Sequence, residues 1–143
     1  MAEAENIATV RQVYDEVFNQ RNLDLADAIF APNFKNHTGP PGMQDGPQGI
    51  KALVTWLFSA FPDDRHDVED ILASGDRVAG RVLHHGTHMG QFLDLPPSGK
   101  HVSQEEMHIF RVEDGRLVEH WGVRDDLGFR QQMTSTEPEA ANA

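Results

Sequence analysis

Apolar residues recur at helical spacing over roughly the first 60 positions and at every second position thereafter. Ile7, Val10, Val13, Tyr14, Val17 and Phe18 form one stripe of a helix over residues 5–20, because positions three and four apart share a helical face. Asn22-Leu23-Asp24 opens a short second helix with Leu25, Ala28, Ile29 and Phe30 on its apolar side. Pro32 ends it, since proline lacks the amide hydrogen a helix needs. Residues 36–46, rich in Gly and Pro, read as a loop. Asp45-Gly46-Pro47 opens a third helix, with proline near its first position. Its stripe is Ile50, Leu53, Val54, Leu57, Phe58 and Phe61, and Asp63-Asp64 marks its exit.

The period then changes to 2. Residues 66–73 read as a strand, and Ser74-Gly75-Asp76 as a turn. A longer strand over residues 77–88 sets Val78, Gly80, Val82 and His84 against Ala79, Arg81, Leu83 and His85. A loop over 90–100 contains Pro96-Pro97 and Ser98-Gly99. Two last strands flank Glu113-Asp114-Gly115, and residues 125–133 read as a short final helix. Residues 134–143 are polar and small and are predicted to be a disordered tail. Helices followed by an antiparallel meander make an α+β pattern. The expectation is one domain, residues 1–133, in which a curved sheet wraps over about three N-terminal helices and encloses a pocket.

The last hairpin carries the chemistry. Gln104, Glu106, His108, Phe110 and Val112 share one side of their strand, and Val118, His120 and Gly122 share one side of the next. Glu105 and Arg111 occupy the opposite side, which turns Glu106 inward with Phe110 and Val112. Glu106, His108 and His120 are therefore the catalytic candidates: a carboxylate and two imidazoles converging in an apolar pocket are acid–base equipment. A core histidine bonded to a backbone carbonyl remains the other reading of His120. His84 is expected to line the cavity and His88 to cap its mouth. His37, before Pro40-Pro41-Gly42, is expected to touch the ligand from a lid-like loop. Tyr14, Phe34, Trp56 and Phe92 are expected to wall the pocket, with plain core packing as the alternative. No metal is expected, since His84 and His88 lie roughly 13 Å apart along a strand and no HExxH helix or carboxylate cage is present.

Composition narrows the partners. The 143 residues hold no cysteine, which excludes disulfides and thiolate chemistry. Twelve basic residues scattered among 23 acidic ones, for a formal charge of −11, do not form the cationic cluster that nucleic acid requires. No apolar run approaches the roughly 18 residues of a membrane helix. The acidic, polar beginning shows no secretory signal, so the expected compartment is the cytoplasm. There is no glycine-rich phosphate loop.

Several short motifs in order give the chain a resemblance. They are Val13-Tyr14; Ala31-Pro32-Asn33-Phe34 with Asn36-His37; Gly86-Thr87-His88-Met89-Gly90; Leu95-Pro96-Pro97-Ser98-Gly99; Phe110-Arg111-Val112-Glu113-Asp114-Gly115; and Glu119-His120-Trp121-Gly122. Together they resemble the SnoaL-like polyketide cyclase family of the nuclear-transport-factor-2-like fold. The resemblance implies a conical α+β barrel, a homodimer, and a hydrophobic carbonyl-bearing, polyketide-like substrate. It also implies ring closure by intramolecular aldol addition with no metal or organic cofactor. His108 aligns with a family pocket histidine, His88 with the glycine-flanked histidine, and Glu106 with a position where some cyclases carry glutamine. The aspartate those cyclases use as acid–base falls on Gly122 here. Asp125 matches a second family aspartate and joins the catalytic candidates as a reserve partner. Three readings follow: a cyclase or isomerase, a cofactor-independent hydroxylase of a polyketide pathway, or a non-catalytic small-molecule-binding module.

Overall fold

The computed structural model describes residues 2–136. Helix α1 (Ala2–Gln12) continues into a π-helical stretch (Val13–Phe18), followed by α2 (Leu23–Ile29), strand β1 (Phe30–Asn36) and α3 (Pro47–Ala60). Strands β2 (Arg65–Ser74), β3 (Arg77–Thr87), β4 (His101–Glu113) and β5 (Arg116–Arg124) precede the last helix, α4 (Asp126–Thr134). The five strands form one curved open sheet in the order β1-β5-β4-β3-β2. Its concave side packs on the helices. Val10, Val13, Val17, Phe18, Ile50, Val54 and Phe61 meet Val78, Val82, Val102, Phe110 and Leu117 in one buried cluster.

The α+β expectation holds, with three local differences. Phe30, whose spacing puts it on the second helix, instead opens strand β1, which runs to Asn36, the first residue of the expected loop. The strand pairs in parallel with β5, matching Asn36 to His120, so the sheet is not a pure antiparallel meander. Pro32 sits inside this strand, as an edge position allows. The first helix widens to π geometry at Val13, which keeps Val13, Tyr14, Val17 and Phe18 all buried. Helix α4 runs to Thr134, one residue into the predicted tail, and residues 137–143 of that tail lie outside the described residues. Among the described residues no helix is long and apolar enough to cross a membrane.

Register decides the site. Strand β4 alternates strictly, with Val102, Gln104, Glu106, His108, Phe110 and Val112 buried. On β3 the buried set is Val78, Gly80, Val82, His84 and Gly86. Pairing places His84 beside Gln104, Val82 beside Glu106, and His108 between Gly80 and Gly122. The ionisable side chains of three strands therefore face the same hollow.

Candidate active site

The hollow is a cavity of about 440 Å³, within the roughly 300–1,000 Å³ usual for small-molecule sites. Val13, Phe18, Phe30, Ile50, Leu53 and Leu57 make much of its wall apolar. The side chain of Trp56 stacks on Phe92 at 5.1 Å between centroids, and both line the cavity with Tyr14 and Phe34. Part of the rim comes from residues 38–41 and from Leu93 and Leu95.

One wall carries a continuous polar chain. Glu106 Oε1 lies 2.8 Å from His108 Nε2. His108 Nδ1 lies 2.7 Å from His120 Nε2. His120 Nδ1 lies 2.7 Å from Asn36 Oδ1. All three ionisable members are buried. The tautomers follow from the ends of the chain. The backbone N–H of Thr38 donates to Asn36 Oδ1 at 3.1 Å, so the amide oxygen is the atom presented to His120. Oxygen there only accepts, so His120 Nδ1 carries a hydrogen. At the other end a carboxylate accepts from His108 Nε2. One proton then remains between His108 Nδ1 and His120 Nε2, because two lone pairs would repel at 2.7 Å.

Electrostatics assign that proton. Burial, then the charge of His108, then that of Arg124 hold His120 well below its usual value, so it stays neutral. His108 is accordingly the imidazolium, donating from both nitrogens. Burial pushes the Glu106 carboxyl up, but the His108 hydrogen bond and the neighbouring imidazoles of His66, His84 and His108 outweigh it and bring it to about 2. Arg124 Nε adds a contact to Glu106 Oε2 at 3.8 Å. Burial first, then Glu106, raises the Tyr14 hydroxyl well above its usual value. That hydroxyl stays protonated and can donate to a ligand oxygen.

Gly122 makes this wall possible. A Cβ on Gly122 would lie 2.9 Å from His108 Nδ1 and 3.1 Å from His120 Cε1. Any side chain at 122 would crowd the contact between the two imidazoles.

A second cluster, Asp64, His66 and His84, fills the floor and is fully buried. Its donor atoms lie within 4.8 Å of one another, which raises the question of a metal. The His66 and His84 rings are stacked at 4.3 Å with an interplanar angle of 11°. Imidazole lone pairs lie in the ring plane, and two stacked, nearly parallel planes do not meet at a common ion. The cluster as built is an ion-pair arrangement, not a coordination shell.

Glu106, His108, His120, His84, Tyr14, Phe34, Trp56 and Phe92 thus meet at one cavity. Three expected residues do not. Asp125 caps α4, accepting from Gly128 N at 2.9 Å, and its neighbour Asp126 lines the cavity in its place. The His37 ring bonds Glu119 at 3.0 Å and stacks on Trp121 at 4.9 Å, because β1 continues to Asn36 and carries residue 37 to the other side of β5. Buried His88 accepts from Ser98 N at 3.2 Å and packs on Phe61, anchoring the loop over residues 90–100 instead of facing the cavity. Asn36, Asp64, His66, Gln104, Arg124 and Asp126 were not among the expected site residues. Gln104 shares the parity of Glu106 and was the most readable of them.

Residues 8–133 match the SnoaL-like polyketide cyclase family. An aklanonic acid methyl ester cyclase of Streptomyces peucetius is 32% identical over 94 residues, and the match spans 65% of this chain. It also spans 65% of that relative, slightly under two-thirds of its length. A nogalonic acid methyl ester cyclase of Streptomyces nogalater is 27% identical over 124 residues, covering 85% of this chain and 92% of its own. The crystal structure of IdmH from Streptomyces antibioticus superposes with a TM-score of 0.78 at 30% identity, covering 91% of this chain and 99% of that one.

Proposed function

The chain belongs to the SnoaL-like polyketide cyclase family, and we propose that it closes a ring of a hydrophobic, polyketide-derived keto ester by intramolecular aldol addition, with its own side chains as acid and base. The observation that carries this reading is the 2.7 Å contact between His108 Nδ1 and His120 Nε2, which needs one proton between the two rings. An aldol step needs a base and an acid together, and an imidazole beside an imidazolium supplies both.

The step balances within the pair. A substrate C–H flanked by carbonyl groups competes with His108 Nδ1–H for the lone pair of His120 Nε2. His120 takes that proton, and the carbanion attacks the ketone carbon, forming the new C–C bond. The released His108 Nδ1–H protonates the ketone oxygen, with Tyr14 able to donate to a neighbouring oxygen. His120 then returns its proton to His108 across 2.7 Å. Substrate and product have the same mass. Glu106 and Asn36 hold the outer nitrogens of the two rings throughout.

The experiment is mass-resolved turnover. A panel of polyketide-derived keto esters is incubated with the protein in air and followed by liquid chromatography and mass spectrometry. A product of unchanged mass and new retention time is expected. A gain of one oxygen would replace the cyclase with a hydroxylase, and ligands that bind and leave unaltered would reduce the site to a binding pocket.

We also propose a homodimer formed through the outer face of the sheet. Met107, Ile109 and Val123 are 53%, 42% and 69% exposed there, and register sets Met107 beside Val123 and Ile109 beside Trp121. Such a contiguous apolar patch is unusual on a monomer. Light scattering is expected to give twice the 16.0 kDa chain mass, falling to a single chain mass in Val123→Asp. A monomeric wild type would end this reading. The cysteine-free composition fits a cytoplasmic setting, which recovery from the cell interior rather than the medium would check.

A further inference from the structure

We propose that Asp64 and Gln104 lock His84 as a fixed imidazolium, and that this cation keeps Glu106 ionised and so keeps the shared proton on the His108–His120 pair. The last link rests on the acid–base reading above. Asp64 and Gln104 are on this account positioning residues, and His84 is a charge anchor, not a proton donor to the ligand.

The argument is one of acceptors. His84 Nε2 is hydrogen-bonded to Asp64 Oδ1, and Asp64 is buried. A carboxylate only accepts, so Nε2 carries a hydrogen. His84 Nδ1 faces Gln104 Oε1 at 3.3 Å and Glu106 Oε2 at 3.6 Å. The orientation of the Gln104 amide is fixed from its other end. Its Nε2 donates to Asp126 Oδ1 at 2.9 Å, which leaves the oxygen toward His84. Both ring nitrogens of His84 therefore face only acceptors, and an imidazole with two N–H groups is a cation.

The surroundings agree. Burial pushes His84 down, yet the hydrogen bond and charge of Asp64, followed by the charge of Glu106, outweigh it and the net direction is up. Burial raises Asp64, and its contacts with His66 and His84 take it below the usual carboxylate range. His66, stacked on the His84 ring, is held below its usual value by burial and then by the His84 charge. A neutral ring thus faces a charged one. Phe61 lies perpendicular to the His84 ring at 5.7 Å and Phe129 is tilted against it at 5.3 Å, so aromatic rings pack around it and hold it in place. The charged and titratable groups facing this cluster are Asp64 before β2, His66 on β2, Glu106 on β4 and Asp126 on α4 through Gln104. Arg124 on β5 and Tyr14 on the π-helical stretch face Glu106 from its far side.

The consequence lies at Glu106. Buried beside an apolar wall, a carboxylate favours its neutral form. The fixed cation at 3.6 Å opposes that. Without it, Glu106 draws the hydrogen from His108 Nε2, the His108–His120 pair loses its charge, and no acid is left to protonate the ketone.

Two spectroscopic readouts and one kinetic readout test this. In protein carrying ¹⁵N-labelled histidine, the ring nitrogens of His84 are expected to stay protonated at both positions from pH 5 to pH 8. A wild-type His84 with one bare nitrogen at pH 7 overturns the proposal, and this measurement needs no variant. In Asp64→Asn, His84 is expected to titrate near the ordinary value of about 6.5, with the Glu106 carboxyl ¹³C signal titrating at higher pH than in wild type. An unmoved Glu106 signal overturns the link between the two. The kcat of Asp64→Asn is expected to fall about tenfold per pH unit above that value and to recover in acid, whereas a purely structural loss would lower kcat equally at every pH. If wild type turns over no keto ester, the cyclase reading fails, while the two spectroscopic readouts still decide the charge of His84 and its hold on Glu106.

Discussion

At the scale of the residue, the position on which the resemblance places a cyclase aspartate is Gly122. An aspartate there could act as acid–base only by standing where the His108–His120 bond now runs, since even a Cβ would lie 2.9 Å from His108 Nδ1. Gly122→Ala tests whether the bond matters. The substitution sits in a strand at an ordinary backbone conformation, since Gly122 is not among the residues with positive φ, so the fold is expected to survive at the cost of parting two buried, hydrogen-bonded rings, about 1–3 kcal/mol. The rings are expected to part, and kcat to fall by about 10². Thermal melting measured beside steady-state kinetics separates the two effects. A stable variant with kcat within threefold of wild type would show that the pair is not the catalytic unit. The residue scale is also where sequence reading reached its limit. Glu106 and His108 were legible because alternation along one strand needs no partner. Asn36 looked like turn chemistry, and Asp64 like a helix exit. Their partners, His120 and His84, lie 84 and 20 residues away, and nothing local encodes that approach.

At the scale of the element, the misplacements share a cause. Asp125 joins the catalytic candidates as a reserve partner because the resemblance matches it to a family aspartate, yet it is the residue at which β5 ends and α4 begins. An aspartate at that position satisfies an amide hydrogen at the helix start, here that of Gly128. Asp126, one residue on, lines the cavity. Pro32 was read as a helix stop, which it nearly is, since α2 ends at Ile29. What could not be read is that the next residues pair in parallel with β5, a contact that spans most of the chain. That pairing explains both the gain of Asn36 and the loss of His37 from the site. The helices and the other four strands were legible because each declares its period over ten or so residues. Asp125→Ala then distinguishes cap from catalyst. It is expected to cost about 1 kcal/mol of stability and to leave kcat within about twofold of wild type. Denaturant melts and steady-state rates measure the two, and a kcat loss of tenfold or more at full occupancy would return Asp125 to the chemistry.

At the scale of the whole molecule, a core that contains buried neutral imidazoles must respond to acid. His66 and His120 are held below their usual values, in both cases first by burial and then by a neighbouring imidazolium. His88 is also lowered by burial. The unfolded chain takes up protons on these three near pH 6.5 while the folded chain does not. Where the unfolded state binds more protons, stability falls as pH falls. His84 has the opposite sign: its raised value stabilises the fold fully below pH 6.5 and is lost as pH rises through the folded value. Below 6.5 it is therefore constant and cannot mask the other three. Glu106, lowered to about 2, withdraws its contribution only as pH falls from its unfolded value, about 4.3, toward 2. Between pH 6.5 and 5 the slope thus belongs to His66, His88 and His120, each contributing at most about 1.4 kcal/mol per pH unit. Urea midpoints measured at half-unit steps are expected to fall across that window. His66 offers the control, because a phenyl ring can occupy the same stack on His84, giving up the 3.2 Å contact between His66 Nδ1 and Asp64 Oδ2. His66→Phe is expected to fold and to reduce the slope by about a third. An unchanged slope would mean that His66 is already protonated in the folded protein, and the stacked pair beneath the cavity would then carry two positive charges against one Asp64.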